Sequence, residues 1–419
     1  MSKFKKYLEN ALVFATVMWF FSRLVIVVAM LLIAPLLKAP TNGDAATFSL
    51  DVFYAWDSGW YDSIASSGYE YINDGKQHSV AFFPLFPLLT HLLMNFGFSF
   101  KVAGLLINNL TFLGALIILY LWVDEYSGKS RARWATAALA WCPFSLFGTV
   151  IYTEGLFLLC TTAALRAFCK GQYIGTGFWG ALSTATRVPG VTLIPAFLFL
   201  SWKQGKNIKA YIASLCVASG LLLYSFYCFV KFGDALAFVH AQKGWRDSAG
   251  FAWQGWVKML MQILFGPINV KSEYLKDPLY PLLFTLCIGI FYLLWQFRHK
   301  LSSKQLNYAF SVLILLMWLL AGDPFIKSVF IFGGLYLLWW SRAKIPLVAV
   351  IYGLFSYILI FNTGLTASVE RYAYGIISLS FAFGEFLHSR PFVGRFTMVF
   401  FAILLASLAV RFAQNVWVS

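Results

Sequence analysis

A chain of 419 residues with 60% hydrophobic and 12% charged side chains, and a mean hydropathy of +0.73, departs from the roughly 25% charge of soluble domains. Its formal net charge of +15 lies in short clusters between apolar runs: Lys3, Lys5 and Lys6; Lys129, Arg131 and Arg133; Lys203, Lys206 and Lys209; Arg298, Lys300 and Lys304; Arg342 and Lys344; Arg390 and Arg395. That is the positive-inside pattern of a multispan membrane protein, and it argues against a nucleic-acid partner.

With the basic clusters on the inner side, the first span, residues 11–37, runs outward and is a retained span, not a signal peptide. Residues 38–79 then form an external loop holding Asp44, Asp51, Asp57, Asp62, Glu70 and Asp74. Residues 81–98 are short for a span and carry Pro84 and Pro87, so they predict an external juxtamembrane helix. A span over 101–123 returns inward, 134–152 runs outward and 155–167 inward. Residues 174–202 have basic residues at both sides and "TRVPG" in the middle, which predicts two arms meeting near Arg187 and Pro189.

A span over 210–230 leads to a second external loop, about residues 231–256. The remaining predicted spans are 281–297, 306–321, 325–340, 345–361, 372–387 and 396–412. The expectation is an all-α polytopic protein, one integral domain over residues 1–419 with about 10–12 transmembrane helices. Cys142, Cys160, Cys169, Cys216, Cys228 and Cys287 fall in or beside apolar spans, with no C-x-x-C, so neither a zinc site nor a disulfide framework is indicated.

This topology gathers the unusual polar groups at the external face: Asp57, Asp62, Glu154, His240, Arg246, Asp323, Glu370 and Arg371. In "WDSGWYDSIA", helical spacing aligns Asp57, Tyr61 and Ile64 in one stripe, with Trp60 beside it. A carboxylate there, next to rings that stack on a sugar, suits a general base; the plainer alternative is an aromatic belt helix capped by Asp57. Glu154 in "IYTEGLF" is either a site carboxylate or a capping residue at a tight turn. Arg187 at an apolar apex needs an anion, either a phosphate or a structural carboxylate partner such as Glu154, and Arg371 beside Glu370 has the same two readings. Arg23 is a snorkelling or structurally paired arginine. His240, Gln242 and Trp245 in "HAQKGW" add a neutral hydrogen-bonding and aromatic set.

In combination and in this order, "WDSGWYDSIASSGY", "AFFPLFPLL", "YTEGLF", "ATRVPG", "HAQKGW" and "ERYAYG" resemble the glycosylphosphatidylinositol mannosyltransferase II (PIG-V-like) family of C-type (GT-C) glycosyltransferases. "ATRVPG" departs from that family's commoner T-R-S-N-G form, which puts polar contacts at Val188 and Pro189 in question and leaves Arg187 in place. The resemblance implies a GT-C-like fold and transfer of a sugar, usually mannose, from a polyprenyl-phosphate donor to a hydroxyl of a glycan or glycolipid acceptor at the external or lumenal face. The membrane would be the plasma membrane in a bacterium or the endoplasmic reticulum in a eukaryote. Asp57 would be the catalytic base. Trp56, Trp60, Tyr61, Asp62, Glu154, Arg187, His240, Gln242, Trp245 and Arg371 would line the substrates, with Arg187 or Arg371 on the donor phosphate.

A divalent cation, Mg or Mn, shared by Asp57, Asp62 and Glu154 is compatible with these acids. The rival class is a transporter or flippase of lipid-linked saccharides, against which stand the lack of an internal repeat and the clustering of polar groups at one face.

Overall fold

The computed structural model describes residues 2–246, 250–364 and 366–418, with side chains from residue 10 onward; the Lys3, Lys5 and Lys6 side chains lie outside the described residues. Helix α1 (Ser2–Val28) runs on through a π turn (Ala29–Ile33) and a 3-10 turn (Ala34–Leu36). The first loop holds α2 (Asp57–Ser67) and α3 (Leu85–Asn95). There follow α4 (Phe100–Ser127), α5 (Lys129–Trp141), a 3-10 segment (Pro143–Gly148), α6 (Glu154–Cys169), α7 (Tyr173–Thr186), α8 (Leu193–Lys203), α9 (Ile208–Cys216), α10 (Ser219–Phe232) and α11 (Ala237–His240). The remainder comprises α12 (Trp253–Phe265), α13 (Pro267–Ser272), α14 (Leu279–Gln296), α15 (Ser303–Ala321), α16 (Asp323–Ser328), α17 (Gly334–Ser341), α18 (Leu347–Phe361), α19 (Val369–Tyr374), α20 (Ile377–Ser389) and α21 (Pro391–Ala413). Among the described residues there is no strand, only an isolated bridge between Gly250 and Thr363.

Among the described residues, seven stretches are long and apolar enough to cross a membrane: Asn10–Leu36, Phe100–Ser127, Ile208–Phe232, Leu279–Gln296, Ser303–Ala321, Asp323–Ser341 and Pro391–Ala413. The protein is an integral membrane protein of the all-α class. The number is below the expected count because α5 to α8, α18 and α20 are shorter than a spanning helix, being cut by prolines and polar breaks. The predicted span 134–152 is one of these. Its helix stops at Trp141, and Pro143, which has no backbone N–H, opens the 3-10 segment Pro143–Gly148.

The break predicted near Arg187 is present: α7 ends at Thr186, and a 3-10 turn (Val188–Thr192) leads into α8. Within residues 81–98 the helix is α3, Leu85–Asn95, and Pro84 stands at its start. Helix α12 has no counterpart in the predicted spans. It is amphipathic, burying Trp256, Met259 and Ile263 while Gln254, Lys258 and Gln262 recur every four residues on another face, so no run of uniform hydropathy marks it.

The parts that position the site hang on α4. Buried Asn108 donates from Nδ2 to the carbonyls of Phe147 and Val150 at 2.8 and 2.6 Å, and its Oδ1 accepts from the Gly155 N–H at 2.8 Å. Gly155 is required there, because a Cβ would lie 2.3 Å from the Asn108 carbonyl oxygen. The pinned loop in turn holds the lead-in to α2: Ile151 N–H donates to the Phe53 carbonyl at 3.3 Å, and Ser58 Oγ to the Ile151 carbonyl at 3.0 Å. Tyr61 and Ala65 of α2 pack with Phe86 of α3, Phe100 and Ile107 of α4, and Ile151. Arg23 does not snorkel; it is buried and structurally paired. It donates to the Ser145 and Ala140 carbonyls at 2.8 and 3.2 Å and to Ser145 Oγ at 2.7 Å, tying α1 to the same loop.

Replacing Asn108 by Ala removes three buried hydrogen bonds and leaves the loop groups without their partner, an expected loss of roughly 2–4 kcal/mol. A thermal melt of the detergent-solubilised N108A variant beside the parent checks this, and an unchanged midpoint would remove Asn108 from its anchoring role.

Candidate functional site

Four charges from distant parts of the chain meet where α2, α6, α7 and α19 end. Asp57 opens α2 and Glu154 opens α6, so each carboxylate sits at the positive end of a helix. Arg187 closes α7, the complementary end for a cation. Arg371 lies in the one-and-a-half-turn helix α19. Arg371 Nη1 donates to Asp57 Oδ2 at 3.1 Å, and its Nε stands 3.7 Å from Glu154 Oε1. Arg187 Nη1 makes a short ion pair with the same Glu154 oxygen and donates to Thr153 Oγ1 at 3.1 Å. One Glu154 oxygen therefore lies between two guanidiniums.

Of the four side chains, Glu154 is 3% exposed, Arg371 8%, Arg187 15% and Asp57 27%, so the acid open to a substrate is Asp57. Formal charges cancel: two carboxylates, two guanidiniums. The faces of Phe147, Tyr152 and Tyr372 lie 5.1, 5.4 and 5.4 Å from the Arg371 guanidinium carbon and supply cation–π attraction where water is excluded. Tyr61 sets its hydroxyl 3.4 Å from Thr153 Oγ1, and the Asp57 N–H donates to the Tyr152 hydroxyl at 3.3 Å. Burial pushes the Tyr61 phenol well above its ordinary range, so it serves as a neutral hydrogen-bonding group.

The predicted stripe of α2 is present, with Tyr61 turned toward the charges and Trp60 next to it. Trp60 stacks on Phe82 at 5.8 Å and meets Trp245 edge-on at 5.7 Å, forming an aromatic wall beside the cluster. Asp57 is not the cap of its helix: Trp56 occupies that position, with no side-chain capping hydrogen bond. Arg187 has the carboxylate partner Glu154, the structural alternative that its sequence left open.

Asp62 stands apart. It lies further round α2 and accepts from Ser66 Oγ at 3.1 Å. His240 Nδ1 is 2.7 Å from Asp234 Oδ2, which also accepts from the Tyr71 hydroxyl at 3.1 Å, so this histidine braces the segment that follows α10. Gln242 lies in the following 3-10 turn, Ala241–Gly244, half-buried. The three acids weighed as a shared divalent site do not converge: Asp57 and Glu154 each engage arginine, and Asp62 turns away. Among the described residues, no three His, Cys, Asp or Glu side chains are placed to hold a metal ion.

Sequence pattern did not mark Tyr152 and Thr153, although both stand in "YTEG", nor Asn108, a lone amide in an apolar helix whose setting was the available signal. Nor did it mark the pairing of Glu370 with Lys327, at 3.8 Å. Glu370 is buried with no hydrogen-bond partner for Oε2, and desolvation raises its carboxyl above the ordinary value despite Lys327.

The segment that carries Asp57, Glu154 and Arg187 also carries the family match. Residues 12–215 match the mannosyltransferase (PIG-V) family. The motifs "HAQKGW" and "ERYAYG" lie beyond the matched residues. No curated protein matches the chain. The fold is similar to the oligosaccharyltransferase of Archaeoglobus fulgidus in its apo form, with 13% identity, a TM-score of 0.47, and 96% of this chain and 55% of that chain covered. The complex of the same organism's AglB with an inhibitory peptide and a dolichol-phosphate is similar at 14% identity and TM-score 0.43, covering 96% and 55%. ArnT of Cupriavidus metallidurans bound to undecaprenyl phosphate is similar at 12% identity and TM-score 0.39, covering 89% and 77%. The chain thus spans about half the length of the archaeal enzyme.

Because Glu154 balances two guanidiniums, Glu154→Gln is expected to destabilise the fold more than Arg187→Met, each by roughly 3–5 kcal/mol or less according to residual exposure. The Glu154→Gln/Arg187→Met double variant should recover more than about 1 kcal/mol relative to the sum of the singles. Denaturant unfolding in micelles measures the cycle, and strict additivity would dissolve the pair as an energetic unit.

Proposed function

We propose that the protein is a membrane glycosyltransferase that moves a sugar, mannose by its family, from a polyprenyl-phosphate donor to a hydroxyl of a glycan or glycolipid acceptor. The observation that carries this reading is the partly exposed Asp57 held by Arg371 at the edge of a buried, charge-balanced cluster, within the part of the chain that matches the mannosyltransferase family. Arg371 engages Oδ2 and so orients the carboxylate.

Asp57 takes the acceptor hydroxyl proton as that oxygen attacks the anomeric carbon. The carbon–oxygen bond to the donor phosphate breaks on the opposite side, configuration inverts, and the phosphate leaves with the bonding pair. Charges match through this step. Protonating Asp57 leaves the cluster one unit more positive as the departing phosphate gains one unit of negative charge, and the two fixed guanidiniums need no reorganisation to meet it.

The donor's apolar chain has a place to lie. An apolar cleft lined by Phe144, Trp318, Phe330, Phe401 and Leu404 reaches Glu370, next to Arg371. The aromatic wall of Trp60, Phe82 and Trp245 offers ring faces to a sugar. On this reading the cluster lies on the external or lumenal side, since α6 runs from Glu154 to a basic far end at Arg166 and Lys170 and basic residues favour the inner side.

The test is sugar transfer by the nanodisc-embedded protein, offered polyprenyl-phosphate mannose and a panel of glycolipid acceptors. Asp57→Asn is expected to lower kcat by roughly 10²–10⁴-fold while the melting curve stays close to that of the parent. Equal turnover in the two would remove Asp57 as the base.

A further inference from the structure

The residue before Asp57 has a conformation that its own helix does not require. Trp56 sits at φ 55° and ψ −113°, a region of backbone space that a bulky side chain enters only at a cost. The kink has two results. It sends Asp57 inward to Arg371, and it sends the Trp56 indole outward, where it is 43% exposed.

The outward indole borders an open polar recess of about 400 Å³, lined also by Thr41, Asn42, Gly43, Asp44 and Asn415. Trp417 stands edge-to-face against Trp56 with ring centroids 4.9 Å apart, making an aromatic corner. The recess is a built surface, assembled from two ends of the chain. Asp44 N–H donates to the Gln414 carbonyl at 2.8 Å, Asn415 Nδ2 to Asp44 Oδ2 at 2.7 Å, and Gln414 Nε2 to the Lys38 carbonyl at 3.1 Å. Gly43 allows this approach, since a Cβ would meet the Gln414 carbonyl oxygen at 2.3 Å. Arg411 ties down the Trp417 carbonyl at 2.9 Å.

We propose that this recess binds a pyranose ring of the acceptor glycan, with Trp56 and Trp417 as the stacking corner and Asn42, Asp44 and Asn415 as hydrogen-bonding partners. The inference rests on the transferase reading above and names the acceptor side of it. The chemistry selects the class. An aromatic face matches the apolar C–H face of a sugar, while amides and a carboxylate match its hydroxyls. Among the described residues lining the recess the only charge is the Asp44 carboxylate, which repels a phosphate, so the donor headgroup is not the occupant. Trp56 directly precedes Asp57, so the recess borders the segment that carries the base. The recess thus lies on the acceptor side, while Arg187 and Arg371 lie on the phosphate side.

The test is donor-free binding of methyl α-mannoside, α-mannobiose and chitobiose to the nanodisc-embedded full chain, followed by saturation-transfer NMR. At least one sugar should bind. Trp417→Ala should weaken it about tenfold, Trp417→Phe should restore most of the affinity, and Asn42→Ala, at an exposed position, should weaken it several-fold with an unchanged melting curve. No binding by the parent, or equal binding by W417A and N42A, would overturn the site. So would quenching of Trp417 by brominated lipid, which would make the pair a membrane-interface anchor. The assay contains no donor, so absence of transferase activity leaves it readable. Conversely, transfer by W417A with an unchanged acceptor KM would sink this site and leave the transferase standing.

Discussion

Glu154 is the carboxylate around which the rest is arranged. A buried anion with 3% of its side chain exposed costs several kcal/mol unless it is paired, and here one oxygen lies between Arg187 and Arg371. The second guanidinium would then be in excess, and Asp57 supplies the missing charge from a more exposed position. Each of these groups depends on another for its solvation. Residues 57, 154, 187 and 371 are thereby held together although they come from four separate elements.

The same requirement accounts for the broken helices. A charge in an apolar body gains from a helix end, where unsatisfied N–H or C=O groups add to its stabilisation, and only interrupted helices place ends at depth. Asp57 and Glu154 open α2 and α6, and Arg187 closes α7. Two residues that precede these charges carry positive φ without being glycine, Trp56 before α2 and Ser368 before α19. That strain lies next to the cluster, as expected where local geometry serves the site more than the fold. Anchors outside the cluster hold its surroundings: the Asn108 amide fixes the loop under Glu154, and the Arg23 guanidinium fixes the loop's far side through carbonyls.

Much of the fold and of the site is legible in the residues themselves. Long apolar runs mark α4, α14, α15 and α21, because uniform hydropathy over about 20 residues matches the thickness of a bilayer core and little else. The basic residues flanking 174–202, with Pro189 between them, mark the break at Arg187. Residue types out of place in an apolar chain mark Asp57, Glu154, Arg187 and Arg371. The amphipathic α12 stays hidden, since its apolar face is a partial stripe, and Asp62 is drawn toward the site only by nearness in sequence to Asp57. Five residues along a helix place it well round the axis from Asp57, toward Ser66.

The sequence by itself determined that the chain is an all-helical membrane protein, which residues are costly in that setting, and a motif order that resembles a mannosyltransferase family, which residues 12–215 match. Hydropathy and charge are local properties, readable one segment at a time. Pairing is not. Which arginine faces Glu154, that Asp57 leans on Arg371 across 314 positions, and that the start and end of the chain meet at Trp56 and Trp417 were decided by packing, because Coulomb attraction and desolvation act over a few ångströms of space regardless of separation along the chain.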